Sequence, residues 1–389
     1  MAKTHPFTKL PAPKPDPIFA VAAAAIAAGP AAINGTIGVV MDEDGKTVLF
    51  PSVAKALKDI GGDITGYSYS YPALAGLPEF RSCVTKLILG DRTDRVTTFA
   101  TTGGTGAVTI NLRLIKMLQE KGKVILPMPA WGNHPPVCRA AGLSIVEVPY
   151  LTDDHRPQIS DLLKAIDSMT EPFSILLQVG CHNPTGLDLT TEQWKTLAAA
   201  LQKKDCIALL DFAYQGFIGE PQDDTAAVHL FADAKIPLLV SWSASKNHSI
   251  YGLRCGMAMA FAPDEATQKA LEGHYSTLTR GIHSAAATFG QMVVARVQSA
   301  YQQEWLADLR GARATIGGKR QAMLKLLPKS FYNAVNGNGM FAMLPLTGEQ
   351  VDELQREHNV FFTRDGRINI AGIPMKRVEE LCAKIVKVI

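Results

Sequence analysis

Lys246 closes the run Ser241-Trp242-Ser243-Ala244-Ser245-Lys246, and Arg254 follows eight residues later. A lysine amine becomes nucleophilic when desolvation and cationic neighbours lower its pKa, and it then condenses with a carbonyl carbon. Ser243 and Arg254 would offer a hydroxyl and a guanidinium to a phosphate nearby. Asp211 ends an apolar run, Ile207–Asp211, and leads into Phe212-Ala213-Tyr214. A carboxylate there needs a partner to stay ionised, and a protonated ring nitrogen would serve. Asn183, in His182-Asn183-Pro184-Thr185-Gly186, and Tyr214 could then hydrogen-bond a phenolic oxygen of the same ring. Thr102-Gly103-Gly104-Thr105-Gly106-Ala107 reads as a strand-to-helix turn in which backbone N–H groups converge on an anion. Trp131, in Pro129-Ala130-Trp131-Gly132-Asn133-His134, could stack on a planar ring. Taken singly, each is ordinary: a Gly-rich turn, a packing tryptophan, an Asn-Pro turn, a helix cap, a solvated lysine.

The elements that must position these groups are legible as an alternation. Short β-rich runs at Val96–Thr101, Lys123–Leu126, Ser144–Val148, Ser174–Val179, Ile207–Asp211, Leu238–Ser241 and Met257–Phe261 are separated by helical stretches. That pattern predicts an α/β fold with a mostly parallel seven-stranded sheet, its chemistry at the carboxyl ends of the strands. The apolar helix after the Gly-rich turn is expected to begin near Ala107, and Thr190 with Gln193 forms a capping box before Trp194–Leu201. The last 80 or so residues read as a smaller α+β domain, with a helix at Arg310–Leu326, strand signal at Gly337–Leu346, a helix at Gly348–His358, and strands at Val360–Phe362 and Arg367–Ala371.

Composition narrows the function. A net charge of +3 with 19% charged residues and no dense Lys/Arg block disfavours nucleic acid. Six scattered cysteines without C-x-x-C spacing argue against zinc sites and disulfides and fit a cytoplasmic setting. The Ala-rich stretch Ile18–Ala28 imitates a signal sequence, but Asp16 as N-cap, Pro17 at the first helical position and Gly29-Pro30 as a stop describe a short helix, too short to span a bilayer.

In this order and at these spacings, the Gly103–Ala107, Pro129–His134, His182–Gly186, Asp211–Phe217 and Ser243–Arg254 motifs resemble the aspartate/aromatic aminotransferases, fold type I enzymes dependent on pyridoxal 5′-phosphate (PLP). The resemblance extends to Ile37-Gly38-Val39, to Tyr71 through Phe80, and to Gly339-Met340-Phe341 and Gly366–Asn369. It implies a large PLP-binding domain at 45–313 and a small domain from 1–44 and 314–389, in a homodimer with shared active sites. It also implies that Lys246 holds PLP as a Schiff base and then moves a proton, while Asp211 keeps the pyridine nitrogen protonated, oriented by His134. Trp131 would stack on the ring, and Asn183 and Tyr214 would bind its oxygen. Gly103, Gly104, Thr105, Ser243, Arg254 and the partner's Tyr71 would hold the phosphate. Arg367, with Gly38 and Asn183, would take the substrate α-carboxylate, and Arg280 would reach across the dimer to a distal carboxylate. Two departures mark a divergent branch: His248 replaces a common Phe, and Gly252-Leu253 replaces Asn-Glu. Met41, Ser70 and Ala285 suggest a roomier, more apolar substrate pocket. The implied activity is amino transfer between aspartate or an aromatic amino acid and a 2-oxo acid such as 2-oxoglutarate. A PLP-dependent β-lyase or decarboxylase on the same scaffold is the first rival, and a non-catalytic PLP-binding protein the second. No metal is expected.

Overall fold

All seven predicted strands form in the computed structural model, which describes residues 5–12, 16–62 and 70–389. They are β1 (Val96–Thr102), β2 (Lys123–Met128), β3 (Ser144–Pro149), β4 (Phe173–Gln178), β5 (Cys206–Phe212), β6 (Leu238–Ser243) and β7 (Cys255–Phe261). They lie side by side in the order β1-β7-β6-β5-β4-β2-β3. β3, β2, β4, β5 and β6 run parallel, and β7 runs antiparallel to both β6 and β1. β7 therefore begins where the parallel strands end, which brings Arg254, the residue before it, to the same edge as Lys246. Strands such as Ile-Ala-Leu-Leu in β5 are apolar on both faces because helices cover both, as a parallel sheet requires.

Two helix starts differ from expectation: the helix expected at Arg310–Leu326 begins eight residues earlier, at Gln302. The helix after β1, α1, spans Gly103–Leu118, so the glycines form its first turn rather than a loop before Ala107. Gly103 enters at φ +68°, a conformation that glycine adopts freely. The Gly103 N–H donates to the Arg254 carbonyl at 3.0 Å, and the N–H groups that follow it in this first turn lack intrahelical acceptors, which leaves them available to an anion. The Thr190–Gln193 capping box forms as expected on α2 (Thr191–Leu201). The N-terminal helix spans Pro17–Ala27, with Asp16 accepting from the N–H groups of Ile18 and Phe19. Among the described residues, no helix is long and apolar enough to cross a membrane.

Toward the C-terminus a long helix, α3 (Gln302–Leu326), links two apolar clusters. Ile316 packs in the cluster around the sheet. Met323 packs in a second cluster with Ile33, Val351, Leu354, Phe362, Ile368 and Ile385. The strand signal at Gly337–Leu346 shrinks to Phe341–Met343, paired antiparallel with Arg367–Asn369. Gly337 and Gly339 instead make close backbone contacts: a Cβ on Gly337 would meet the Gly186 carbonyl, one on Gly186 the Phe341 carbonyl, and one on Gly339 the Cys181 side chain. Arg320 of α3, 3% exposed, seals this seam by donating to the carbonyls of Val335, Asn338, Gly339 and Phe341. Burial lowers its pKa to about 10, and carbonyl acceptors rather than a carboxylate hold its charge. The seam fixes Phe341, whose ring meets that of Tyr214 edge-on at 6.4 Å between centroids.

Candidate active site

The carboxyl ends of β4, β5 and β6 and the start of α1 enclose an open pocket of about 490 Å³. Gly104, Thr105, Trp131, Asn183, Asp211, Tyr214, Ser243, Lys246 and Arg254 all line it, so nine of the residues singled out by sequence converge. Lys246 projects from the turn after β6, its Nζ 5.2 Å from the centre of the Tyr214 ring. Burial, opposed by the Asp211 carboxylate and aided by the Arg254 charge, lowers its pKa to about 8. The amine is thus far readier to lose its proton than a solvated lysine.

Asp211, 6% exposed, accepts from or shares a proton with His134, whose Nε2 lies 2.9 Å from Oδ2. His134 is fully buried and does not line the pocket, so it reaches the pocket through Asp211. Its ring meets Trp131 edge-on at 5.2 Å between centroids, which fixes the indole as a wall. Asn183 Nδ2 donates to the Tyr214 hydroxyl at 3.4 Å. Burial pushes the Tyr214 phenol well up, so the hydroxyl stays protonated.

At the other end sits an anion cradle. A Cβ on Gly103 would lie 2.6 Å from Arg254 Nη2, and one on Gly104 would lie 2.9 Å from Ser243 Cβ. Glycine at both positions thus lets the helix start, the serine and the guanidinium crowd together. Arg254, at φ +51°, donates to the Ser245 hydroxyl at 3.3 Å and the Tyr251 carbonyl at 3.0 Å. No carboxylate pairs with Arg254 among the described residues. First-turn N–H groups, a hydroxyl and a guanidinium at one end, with Lys246 and Asp211 at the other, match a phosphorylated pyridine aldehyde in chemistry and in polarity.

Arg367 lies behind this pocket rather than in its lining. It is 8% exposed, and its Nε and Nη1 find no hydrogen-bond partner among the described residues. Its guanidinium carbon stands 4.4 Å from the centre of the Phe341 ring. Gly38 abuts the same ring, where a Cβ would come within 2.7 Å of Phe341 Cζ. Burial lowers the Arg367 pKa. A buried, under-coordinated guanidinium is a site waiting for a carboxylate. Two expected residues do not join in: Tyr71 is 94% exposed, and Arg280, on the surface, donates to the Ser284 hydroxyl at 3.3 Å. Met41, Ser70 and Ala285 likewise lie outside the pocket lining.

Gln178, Ala213 and Ser245 line the pocket but were given no role on sequence grounds, and neither was Phe341. Gln178 carries a usable signal: it is a polar residue at the end of an apolar run that pairs in register with Asp211.

A seven-stranded sheet with a buried lysine, a buried aspartate and an anion cradle at its carboxyl edge defines a fold type I PLP-dependent enzyme. The family model for "Aminotransferase class I and II" matches residues 33–385. The chain is similar to the aspartate aminotransferase of Escherichia coli, 33% identical over 92% of this chain and 94% of that one. It is 31% identical to the aromatic-amino-acid aminotransferase of the same organism, over 90% and 91%. Among solved structures it resembles the aromatic-amino-acid aminotransferase of Burkholderia pseudomallei covalently bound to pyridoxal phosphate, with a TM-score of 0.94, 29% identity and coverage of 99% and 100%. The chain belongs to the class I and II aminotransferases and uses PLP.

Proposed function

We propose that this aminotransferase moves an amino group between aspartate or an aromatic amino acid and a 2-oxo acid such as 2-oxoglutarate, in two half-reactions at one site. The observation that carries the reading is the convergence of the Lys246 amine and the Asp211 carboxylate on one pocket, with the Arg367 guanidinium behind it, its Nε and Nη1 without hydrogen-bond partners among the described residues. The names of the relatives support the donor range. Bound PLP supplies an aldehyde that condenses with amines and a pyridinium ring that withdraws electrons from the substrate Cα–H bond.

The chain's own residues do the rest. Lys246 would hold the aldehyde end of the cofactor and, once freed, serve as the general base for the substrate Cα proton. Asp211, held by His134, would keep the ring nitrogen charged. Trp131 would stack on the ring, and Asn183 and Tyr214 would bind its oxygen. Gly104, Thr105, Ser243 and Arg254 would hold the phosphate, with Gly103 beside them donating its own N–H to the Arg254 carbonyl. Arg367 grips the substrate carboxylate, with Gly38 and Asn183 beside it. A steady-state panel of aspartate, glutamate, tyrosine, phenylalanine and kynurenine against 2-oxoglutarate and oxaloacetate tests the reading. Turnover is expected with aspartate or an aromatic donor and 2-oxoglutarate; activity confined to branched-chain or ω-amino donors would overturn it.

A homodimer with shared sites completes the proposal, and it is supported by Tyr71 and Arg280 both being exposed on this chain rather than in its own pocket. Tyr71 would meet the phosphate on a second copy, and Arg280 a distal carboxylate. Mixing a Tyr71→Phe or Arg280→Ala protein with Lys246→Ala should restore part of the wild-type activity through hybrid sites. Zero restoration, with hybrid dimers shown to form, would mean each pocket is built by one chain. The division into a large domain (45–313) and a small one (1–44 and 314–389) is supported by the second apolar cluster, which joins Ile33 to residues 323–385. A cytoplasmic setting agrees with six free thiols.

A further inference from the structure

Gln178 is the last residue of β4 and the register partner of Asp211 on β5, and both line the pocket. Its carboxamide turns along its own chain instead of across the sheet. Nε2 donates to the Asn183 carbonyl at 2.8 Å, and Oε1 accepts from the Asn183 N–H at 3.2 Å. We propose that Gln178 is a positioning residue for amino transfer: its two-point clasp on the Asn183 backbone places the Asn183 side chain against Tyr214 and the cofactor ring.

The clasp needs one donor and one acceptor at the end of a three-carbon reach, and a glutamine carboxamide provides both in one plane. The segment it closes cannot fix itself as a strand would, since Gly180 and Cys181 both adopt left-handed backbone conformations at φ +72° and +50°. From the far side, Asp188 Oδ1 accepts from the His182 N–H at 3.1 Å, so Asn183 is held between two side-chain anchors. Precision matters at this point because the Asn183 Nδ2 to Tyr214 hydroxyl distance is already 3.4 Å, near the limit of a useful hydrogen bond. A few tenths of an ångström of drift in Asn183 would break it. The same bond is the strongest influence opposing the burial that raises the Tyr214 pKa, so Asn183 is electrically coupled to that hydroxyl. Gln178 touches none of the groups assigned to bond-making and acts only through Asn183.

The proposal rests on the function given above, and its test separates the two. Gln178→Met keeps the length and removes both hydrogen bonds. It would be compared with wild type, Asn183→Ala and the double variant, as holoenzymes, for thermal stability, for cofactor dissociation constant and for the pH midpoint of the visible absorbance change. A donor on a ring oxygen favours its anionic form and lowers the pH at which a neighbouring proton leaves, so loosening Asn183 should raise the midpoint, by about half a pH unit or more. The double variant should shift no further than Asn183→Ala alone, since Gln178 works through that side chain. An unchanged midpoint in Gln178→Met, or shifts that add in the double variant, would overturn the assignment. If the methionine protein does not fold, Gln178→Glu, which loses only the donor once ionised, should give a shift of the same sign, and no shift there counts equally against the proposal. Wild-type protein with no visible band at all would refute the function rather than the role of Gln178.

Discussion

Lys246→Ala is expected to lower kcat by about 10⁴-fold or more, because one substitution removes both the covalent anchor and the general base. The protein should still fold and still take up the cofactor, since Ser243, Arg254, the α1 N-terminus, Trp131 and Asp211 all remain. Borohydride, which fixes the chromophore to the wild-type chain, should leave it free in the variant. The wild-type amine gives a second measurement through its pKa of about 8. In cofactor-free protein, its reaction with a small aldehyde should accelerate as pH rises through about 8 and then level off, far below the 10.5 of an ordinary lysine. The linkage has the same sign. Between these values the unfolded chain holds a proton that the folded chain has released, so this group adds stability to the fold as pH rises across that window. Undiminished turnover by Lys246→Ala would remove the chemical assignment altogether.

Arg367→Leu should cost about 3–4 kcal/mol in transition-state binding, roughly 10²–10³-fold in kcat/KM, for every amino acid tested. The loss should be common to aspartate and aromatic donors because the α-carboxylate is what they share. Arg367→Lys keeps the charge and loses the planar fork, so it should recover only part of the loss. Without substrate the effect reverses. Arg367 is a buried cation whose Nε and Nη1 lack partners, and removing such a group relieves a desolvation penalty. The leucine variant should therefore melt at the same temperature as wild type or higher, and it should lose the rise in Tm that dicarboxylates confer on the native protein. KM values unchanged across the donors would show that the carboxylate binds elsewhere.

The sheet was readable because apolar runs of strand length alternate with helices, a pattern that survives in any sequence obeying it. Each of the seven runs became a strand, with ends shifted by one or two residues. What sequence periodicity could not locate was the start of α1: three of the four residues from Gly103 to Gly106 lack the side chains on which periodicity depends, so the pattern begins only at Ala107. The strand signal at Gly337–Leu346 failed for a related reason. There the glycines admit the Gly186 backbone and the Cys181 side chain, contacts about 150 residues away in sequence. Nine of the residues singled out for chemistry came together because their motifs all fall at strand ends on one edge of the sheet. Gln178 is marked in the sequence as a polar residue ending an apolar run, but its partner is a backbone, so the residue type does not say what it holds. Arg367 was named, yet its nakedness belongs to the packing of Phe341 and Gly38 around it and could not be read from the chain.

The reversal of β7 leaves the enzyme with a built-in ruler. Lys246 and Arg254 stand at the two ends of one short connection between antiparallel neighbours, and that connection alone sets how far the amine lies from the phosphate clamp. An added residue would displace one end against the other by about 3.3 Å, more than a hydrogen bond can stretch. Residues 247–253 are therefore held in number, and Asn247, His248, Ser249 and Ile250, all buried, are held in kind as well. The His248 ring stacks on Trp305 at 4.9 Å between centroids, so the long helix α3 braces the ruler from behind.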